Sequence, residues 1–369
     1  MKFVKMLILI LVVIVPENVH AIEVSARNAV LYEPQSQRII FEKNQDEKRG
    51  MASTTKIVTA ITALENSNLT DVVTVSKKAA DVEGSSVWLE AGEKQTLENL
   101  LYGLMLSSGN DAAIAIAEHI SGTTEKFALL MNETAKKAGA NNSSFKNPNG
   151  LDEEGHYTTA LDLAKITAYA MENEKFKEIV STKQKTIPWQ GHKWDRSLKN
   201  HNKMLSLYEG ADGVKTGFTK KCGRCLVSSA FKNGTRLIAV TLNAPNDWDD
   251  HTKMLDLGFS LLESKCIVKK DEILGKCSIE NGTETVVEIK AQAGFWFPVL
   301  KSDKTKINVN IARDVKAPVL KGQTLGFAEI YLNDKKISEI PLIANNDIEV
   351  LYIPTIWDNF KILISSLCD

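Results

Sequence analysis

The sequence has no excess of charge of either sign. Lys and Arg number 45 and Asp and Glu number 46 among 369 residues, which gives a formal net charge of -1. Proteins that hold a nucleic-acid backbone carry a basic face, so this balance argues against nucleic acid as a partner. Charged residues make up 25% of the chain and hydrophobic residues 43%, which excludes a wholly disordered protein. At about 150 residues per domain, the length predicts two domains, or one large domain with an appendage.

Long apolar runs are missing after the first residues. Lys2 and Lys5 precede an apolar run over 6–15 and the compact stretch 19–21. This order is typical of a secretory signal peptide, and the run is shorter than the ~20 residues of a spanning helix. We therefore predict a signal peptide over 1–21 and a mature protein that works outside the cytoplasm, in the cell wall or at the outer face of the membrane. An uncleaved membrane anchor is the alternative.

Cysteines are few, and their number is odd. Five are present, so they cannot all pair within one chain, and a disulfide framework does not hold this fold. Cys222 and Cys225 form a C-x-x-C, which is compatible with a redox pair or half a zinc site. No second C-x-x-C accompanies it, and its segment has strand character. We interpret the pair as two small hydrophobic residues.

Two common hydrolase signatures are absent. The chain contains neither H-E-x-x-H, the zinc-peptidase pattern, nor G-x-S-x-G, the nucleophile elbow of α/β-hydrolases. His156, Asp162 and His251 are available as ligands, but their separation in sequence does not indicate a common site. We expect neither a metal nor an organic cofactor.

Strand-like segments lie on both sides of a helical block. Apolar residues recur at helical spacing within 57–64, 97–105, 112–120, 127–138, 160–171 and 254–262. β-rich runs occupy 29–32, 38–42, 226–230 and 236–242, the last two around the turn Lys232-Asn233-Gly234. We predict an α/β (α+β) domain in which the two ends of the segment share an antiparallel sheet and the helices form a lobe.

The sequence pattern changes after Cys266. Short alternating segments at 286–289, 306–311 and 329–332 are separated by Gly and Asn/Asp turns, which predicts a small all-β domain. The stretch 354–369 places its apolar residues on one helical face, so it either lies on a membrane surface or docks on its own domain. The predicted domains are therefore 22–264 and 265–353, followed by an amphipathic helix over 354–369.

Three short motifs carry the candidate chemistry. Ser53-Thr54-Thr55-Lys56 opens a helix, Ser108-Gly109-Asn110 lies between two helices, and Lys215-Thr216-Gly217 opens a strand region. Each has a plain structural alternative: a helix cap, a turn and a solvated strand end. Their joint occurrence in this order behind a signal peptide favours a catalytic site.

The S-x-x-K spacing places an amine beside a hydroxyl. Residues three apart share a helix face, so Lys56 lies next to Ser53. Lysine removes a proton from serine only when its pKa is lowered, either by burial or by another cation such as Lys215. Backbone N–H groups at Ser53 and Phe218 would form an oxyanion hole.

The remaining motif residues line the same predicted cleft. Gly217 has no side chain, so a substrate backbone can lie close to its strand. Ser108 is expected to relay a proton from the opposite wall. Asn110 is expected to bind the substrate amide.

Longer stretches around these motifs carry a family resemblance, at 108–113 (SGNDAA), 147–152 (NPNGLD) and 212–219 (DGVKTGFT). The chain resembles the low-molecular-mass penicillin-binding proteins, the serine-type D-alanyl-D-alanine carboxypeptidases, which have a serine β-lactamase/transpeptidase-like domain. Segments 321–323 (KGQ) and 340–342 (IPL) are similar to the β-rich C-terminal domain of that family. The resemblance covers nearly the whole mature chain.

The resemblance implies roles for the motif residues. Ser53 would be the acylated nucleophile, Lys56 the general base, and Ser108 and Asn110 the second wall. Lys215 and Thr216 would hold the terminal carboxylate of the substrate. The implied substrate is a peptidoglycan stem peptide ending in D-Ala-D-Ala, from which the last D-Ala is removed, and β-lactams would acylate the serine.

The chain departs from the family pattern at two positions. Phe218 stands where some relatives have His, which should affect substrate preference. His201 stands where some relatives have Arg. A guanidinium clamps a carboxylate with two bonds and a neutral imidazole does not, so Lys215 and Thr216 are expected to carry more of that recognition.

A β-lactamase and a non-catalytic sensor are the alternatives to a carboxypeptidase. A β-lactamase of the commonest class needs an added Glu downstream of the second motif, and segment 141–150 contains none. A non-catalytic penicillin-binding wall sensor would use the β domain for binding, but the intact Ser53, Lys56 and Lys215 favour chemistry.

Overall fold

The computed structural model describes residues 22–353, 356 and 357. The predicted signal peptide over 1–21 lies outside the described residues. So does the predicted helix over 354–369, except for Ile356 and Trp357, which are both largely exposed. Within the described part, no helix combines the length and apolar character that crossing a bilayer requires.

A five-stranded antiparallel sheet forms the centre of the first domain, in the order β2-β1-β9-β8-β7. Its strands are β1 (Asn28–Glu33), β2 (Arg38–Lys43), β7 (Ala211–Thr219), β8 (Gly223–Lys232) and β9 (Thr235–Leu242). The two ends of this domain therefore share one sheet, as predicted. Alternate residues of β1 face opposite sides: Val30 and Tyr32 join the larger core, and Leu31 joins a second core on the other face.

Helices cover the larger core on one face of this sheet. The elements are a 3-10 turn (Ala52–Thr55), α1 (Lys56–Asn66), α2 (Lys77–Ala80), α3 (Leu97–Leu106), α4 (Asn110–Ser121), α5 (Thr124–Lys137), α6 (Ala160–Ala170), α7 (Glu174–Ser181) and α8 (Met204–Leu207). Two small hairpins accompany them, β3 (Val72–Thr74) with β4 (Lys94–Thr96) and β5 (Gln184–Ile187) with β6 (Arg196–Lys199). Threonine side chains cap three helices, since Thr96, Thr123 and Thr159 each accept a backbone N–H.

Helix α9 (Asp247–Leu261) covers the opposite face and begins earlier than predicted. Its apolar positions Met254 and Leu255 pack into the second core. Its first turn holds three aspartates, which stabilise the amino end of a helix but carry no apolar period. The periodicity therefore indicated only the second half of this helix.

The C-terminal domain is all β, as predicted. Its strands are β10 (Leu262–Val268), β11 (Ile273–Glu280), β12 (Val286–Ala291), β13 (Phe295–Leu300), β14 (Thr305–Ile311), β15 (Val315–Lys316), β16 (Thr324–Leu332) and β17 (Lys335–Ala344). β10 pairs with β13, and the other six form one sheet around a separate core. β10 follows α9 directly, so the predicted boundary at 264 falls inside this strand.

Candidate active site

The turn before α1 presents Ser53. Neither the 3-10 turn nor α1 begins with a side-chain cap, so Ser53 is not acting as a helix cap. Its Oγ instead accepts a hydrogen bond from Lys56 Nζ at 3.0 Å. The preceding Ala52 has a φ of +47°, in the left-handed region that residues with a Cβ rarely adopt. Such backbone strain is concentrated at functional sites.

Lys56 is completely buried beneath this turn. Besides Ser53, its Nζ donates to Asn110 Oδ1 at 2.7 Å and to the backbone carbonyl of Asn149 at 2.6 Å. Burial, followed by the positive charge of Lys215, lowers the pKa of Lys56 well below its usual value, while Asp111 acts in the opposite direction. A neutral amine held against a hydroxyl is able to accept its proton.

Lys215 is the second buried amine of the site. It lies within β7 and is 1% exposed, and its Nζ donates to the carbonyl of Thr216 at 2.9 Å. Burial lowers the pKa of Lys215 to about 7. Its charge acts on both Lys56 and His201, so the structure brings Lys215 into the same region as the S-x-x-K pair. A bound carboxylate would favour its charged form.

An open cleft of about 370 Å³ lies in front of Ser53. Its walls are formed by Ser53, Ser85, Ser108, His201, Lys203, Thr216, Gly217, Phe218, Arg224, Asp247 and Trp248. A Cβ on Gly217 would lie 3.0 Å from the backbone N of Ser53 and from Met51 O, so glycine lets β7 pack this closely on the turn that bears Ser53. Phe218 is 65% exposed at the edge of the cleft.

The second motif links α3 to α4. Ser108 lines the cleft with a φ of +61°. Asn110 is buried at the start of α4, where its Oδ1 accepts from Lys56 and its Nδ2 donates to the carbonyl of Glu83 at 2.7 Å. Both polar groups of this amide therefore have protein partners, and Asn110 is not among the residues of the cleft wall. Its predicted contact with the substrate amide stays a prediction.

Two groups that hold Lys56 and the neighbouring loop in place were not predicted from the sequence. The first is the backbone carbonyl of Asn149, in the segment 147–152, for which no role was predicted. Gly150 has a φ of +85°, and a Cβ there would collide with the carbonyl of Ala52, so this segment packs directly behind the turn that bears Ser53. Asp111 is the other. Its carboxylate accepts from the N–H groups of Val87 and Leu89 and fixes the loop that leads to Ser85.

Arg224 is a further lining residue that the sequence analysis missed. It pairs with Phe218 across β7 and β8. Its Nε and Nη2 donate to Asp247 Oδ1 at 3.1 and 2.8 Å, and its side chain is 44% exposed. Arg224 reaches the cleft because β8 pairs in this register with β7 and because Asp247 of α9 holds its side chain. Neither contact is indicated by a local pattern in the sequence.

The histidines that were considered as metal ligands have structural partners. His156 contacts Thr55 Oγ1 at 2.9 Å, and burial lowers its pKa to about 4. His251 lies between the hydroxyls of Thr241 and Ser228, and burial lowers its pKa to about 3. Across residues 22–353, no group of three or more His, Cys, Asp or Glu side chains is arranged to hold a metal ion.

Cys222 and Cys225 are both buried and unpaired. Burial raises the pKa of both thiols, that of Cys225 to about 12. Protonated thiols are poor nucleophiles and poor metal ligands, which agrees with their interpretation as small hydrophobic residues.

The hydroxyl of Ser53 and the buried amines of Lys56 and Lys215 lie together beside an antiparallel sheet. This arrangement identifies the class of protein as a penicillin-recognising serine peptidase. The sequence profile of the D-alanyl-D-alanine carboxypeptidase family matches residues 15–246, and that of the penicillin-binding protein 5 C-terminal domain matches 262–350. The chain belongs to this carboxypeptidase family.

Several relatives match over most of their length. D-alanyl-D-alanine carboxypeptidase DacF of Bacillus subtilis is 34% identical over 88% of this chain and 86% of its own. DacC of Escherichia coli is 33% identical over 93% and 89%. The crystal structure of DacD from Francisella tularensis superposes with a TM-score of 0.64 at 30% identity, covering 89% of this chain and 95% of that one. The predicted family, and the predicted fold with its β-rich C-terminal domain, are confirmed.

Proposed function

We propose that this protein is a serine-type D-alanyl-D-alanine carboxypeptidase that removes the C-terminal D-Ala from peptidoglycan stem pentapeptides. The observation that carries the proposal is the 3.0 Å contact between Lys56 Nζ and Ser53 Oγ, in a setting that lowers the pKa of the amine. Its membership of a family of D-Ala-D-Ala carboxypeptidases supports the substrate class.

Acylation begins with neutral Lys56. Its amine takes the proton of Ser53 as Oγ bonds to the carbonyl carbon between the two D-Ala residues. The C–N bond then breaks, and the proton passes to the leaving amino group, with Ser108 as a relay on the opposite wall. Free D-Ala departs, and the rest of the peptide remains as an ester on Ser53.

The charges that develop are met by backbone and lysine groups. The N–H groups of Ser53 and Phe218 stabilise the oxyanion, and the close packing at Gly217 supports this pairing. Lys215 and Thr216 hold the terminal carboxylate, and Arg224, which is paired with Asp247, lines the cleft with Thr216 and offers further N–H donors. A water molecule then hydrolyses the ester. No step requires a metal or an organic cofactor.

β-Lactams would enter the same reaction, because their strained amide resembles the scissile bond and their carboxylate resembles the peptide terminus. Acylation of Ser53 opens the lactam ring, and no leaving group departs. A long-lived adduct would follow, since segment 141–150 lacks the glutamate that speeds deacylation in the commonest β-lactamases.

The site of action is proposed to be the outer face of the cytoplasmic membrane or the cell wall. The predicted signal peptide over 1–21 and the predicted amphipathic helix over 354–369 support this location. Exposed apolar side chains at Leu351 and Ile353 precede that helix, and Ile356 within it is exposed as well. Cosedimentation of the mature chain with anionic lipid vesicles, compared with a chain ending at residue 353, tests membrane contact. Equal binding of the two would contradict it.

Labelled penicillin and D-Ala release test the reaction itself. The wild type should form a penicillin adduct on the tryptic peptide that contains Ser53, and should release D-Ala from a stem pentapeptide. Ser53→Ala should do neither, whereas Ser260→Ala, at an exposed serine of α9, should do both. An adduct on another peptide would contradict the assignment of Ser53. Rapid turnover of penicillin would indicate a β-lactamase, and a stable adduct without D-Ala release would indicate a sensor.

A further inference from the structure

A second cavity of about 410 Å³ opens beside the cleft that contains Ser53. Ser85 and His201 line both, so the two spaces are neighbours across these side chains. The loop 85–88 forms one wall of the second cavity, and β6 (Arg196–Lys199) forms another. A ligand longer than the cleft can therefore continue past Ser85.

Trp88 stands on the wall of this second cavity, and its side chain is 72% exposed. Its backbone is held from several directions. Its N–H donates to Ser86 Oγ at 2.8 Å, and its carbonyl accepts from Arg196 Nη2 at 2.9 Å. Val87 and Leu89 on either side are buried, and Asp111 accepts their N–H groups. The loop is therefore fixed with its indole turned outward.

The stability of the fold does not account for a tryptophan here. Trp88 has a φ of +62°, a conformation that disfavours bulky residues and that glycine or asparagine adopts at lower cost. Its exposed ring adds little buried apolar area to the folded state. Strained and exposed aromatic residues next to a cleft are typical of ligand contacts.

The second cavity also has a free positive charge. Arg196 is buried and neutralised by Glu93, whose two oxygens it reaches at 2.8 and 2.9 Å. Lys199 is exposed on the same wall and has no ion-pair partner among the described residues. Lys203, also exposed, lines the neighbouring cleft. The continuous space therefore favours a ligand with an anionic group.

We propose that this cavity is a subsite for the acidic part of the stem peptide, on the amino-terminal side of D-Ala-D-Ala. The inference rests on the proposed function. With the terminal carboxylate at Lys215 and Thr216 and the scissile bond at Ser53, the rest of the peptide must leave the cleft, and the space past Ser85 is open to it. Trp88 packs on an apolar face of the peptide, and Lys199 pairs with the free α-carboxylate of its γ-linked D-glutamate.

Substrates of two lengths test this subsite. One is the pentapeptide L-Ala-γ-D-Glu-L-Lys-D-Ala-D-Ala, and the other is the short diacetyl-L-Lys-D-Ala-D-Ala. Trp88→Ala should lower kcat/KM for the pentapeptide about 3- to 10-fold, as expected for one aromatic contact. The short substrate and penicillin acylation should stay within about twofold. Trp88→Phe should restore most of the loss. The matched control is Trp296→Ala, an exposed tryptophan of the other domain, which should change neither substrate.

The role of Lys199 is tested with the charge of the peptide. Lys199→Gln should remove the preference for the pentapeptide over the same peptide with its glutamate carboxylate amidated. The subsite is wrong if Trp88→Ala leaves the pentapeptide unaffected, or slows the short substrate and penicillin equally. If the wild type cleaves neither peptide and does not react with penicillin, the proposed function itself is wrong, and the two failures are thereby distinguished.

Discussion

Replacing Lys215 with methionine should make the protein much less active but more stable. Lys215 is 1% exposed in β7, and burial lowers its pKa from 10.5 to about 7. At about 1.4 kcal/mol per pKa unit, this change corresponds to about 5 kcal/mol of unfavourable free energy for the buried ammonium. Methionine has a similar length and no charge, so Lys215→Met removes that cost. Part of the 5 kcal/mol will be offset by the lost hydrogen bond to Thr216, so a gain of at least about 2 kcal/mol is expected.

The dependence on pH follows from the direction of the pKa change. The unfolded chain keeps its proton on Lys215 up to about pH 10.5, but the folded chain keeps it only up to about pH 7. Between these values unfolding takes up a proton, so the stability of the wild type rises with pH. Below about pH 7 both states are protonated, and the full cost is present. The advantage of Lys215→Met should therefore be largest at pH 6 and should shrink as the pH approaches 10.

Urea unfolding at pH 6, 7.5 and 9 measures this difference directly. Lys203→Met is the matched control: Lys203 is an exposed lysine of the same cleft, and its replacement should change stability by less than about 0.5 kcal/mol. Acylation by penicillin should fall about 100-fold in Lys215→Met, the scale of losing one electrostatic contact to the transition state. A variant less stable than the wild type at pH 6, or a difference that does not vary with pH, would refute the reasoning.

Three further substitutions test the walls of the site. Gly217→Ala places a Cβ 3.0 Å from the N of Ser53, so stopped-flow penicillin acylation should slow at least about tenfold. An unchanged rate would show that β7 can shift to accommodate the methyl group without disturbing Ser53. Asp111→Asn removes the charge and leaves one oxygen to accept from the N–H groups of Val87, Leu89 and Ala112, so calorimetry should show a loss of about 2 kcal/mol, whereas a loss below about 1 kcal/mol would contradict this contribution. Arg224→Gln should raise KM for the pentapeptide about tenfold with little change in kcat, and an unchanged KM would exclude a carboxylate contact.

The elements that were predicted correctly are those with a clear pattern in their own sequence. α1 and α3–α6 show apolar residues at helical spacing, and β8 and β9 flank a short polar turn. α2, α8 and the β3–β4 and β5–β6 hairpins are too short for a period to be distinguished from chance. α7 was missed although Phe176, Ile179 and Val180 are buried at helical spacing. The helix has only about two turns and begins a few residues after α6, so its pattern is short. Length limited the fold prediction more than composition did.

Some contacts of the site follow from the spacing of side chains in the sequence, whereas others are made by backbone atoms. The contact of Ser53 with Lys56 follows from their separation by three residues, and it was predicted from that spacing. The carbonyl of Asn149 and the loop N–H groups bound by Asp111 are backbone atoms. Every residue has such atoms, so residue type does not indicate which of them reaches the site. Those contacts become visible only when tertiary structure brings the segments together.

The first turn of α4 connects Lys56, the proposed general base, to the wall of the second cavity. Asn110 accepts from Lys56, and the adjacent Asp111 holds the loop that bears Trp88. The Asp111 charge also raises the pKa of Lys56, against the effect of burial. Asp111→Asn should therefore shift the acid limb of the acylation rate to lower pH, since Lys56 would lose its proton more readily, while loosening of the loop lowers kcat/KM for the pentapeptide. Since these two effects have separate causes, Trp88→Ala should reproduce the loss of pentapeptide cleavage without moving the acid limb.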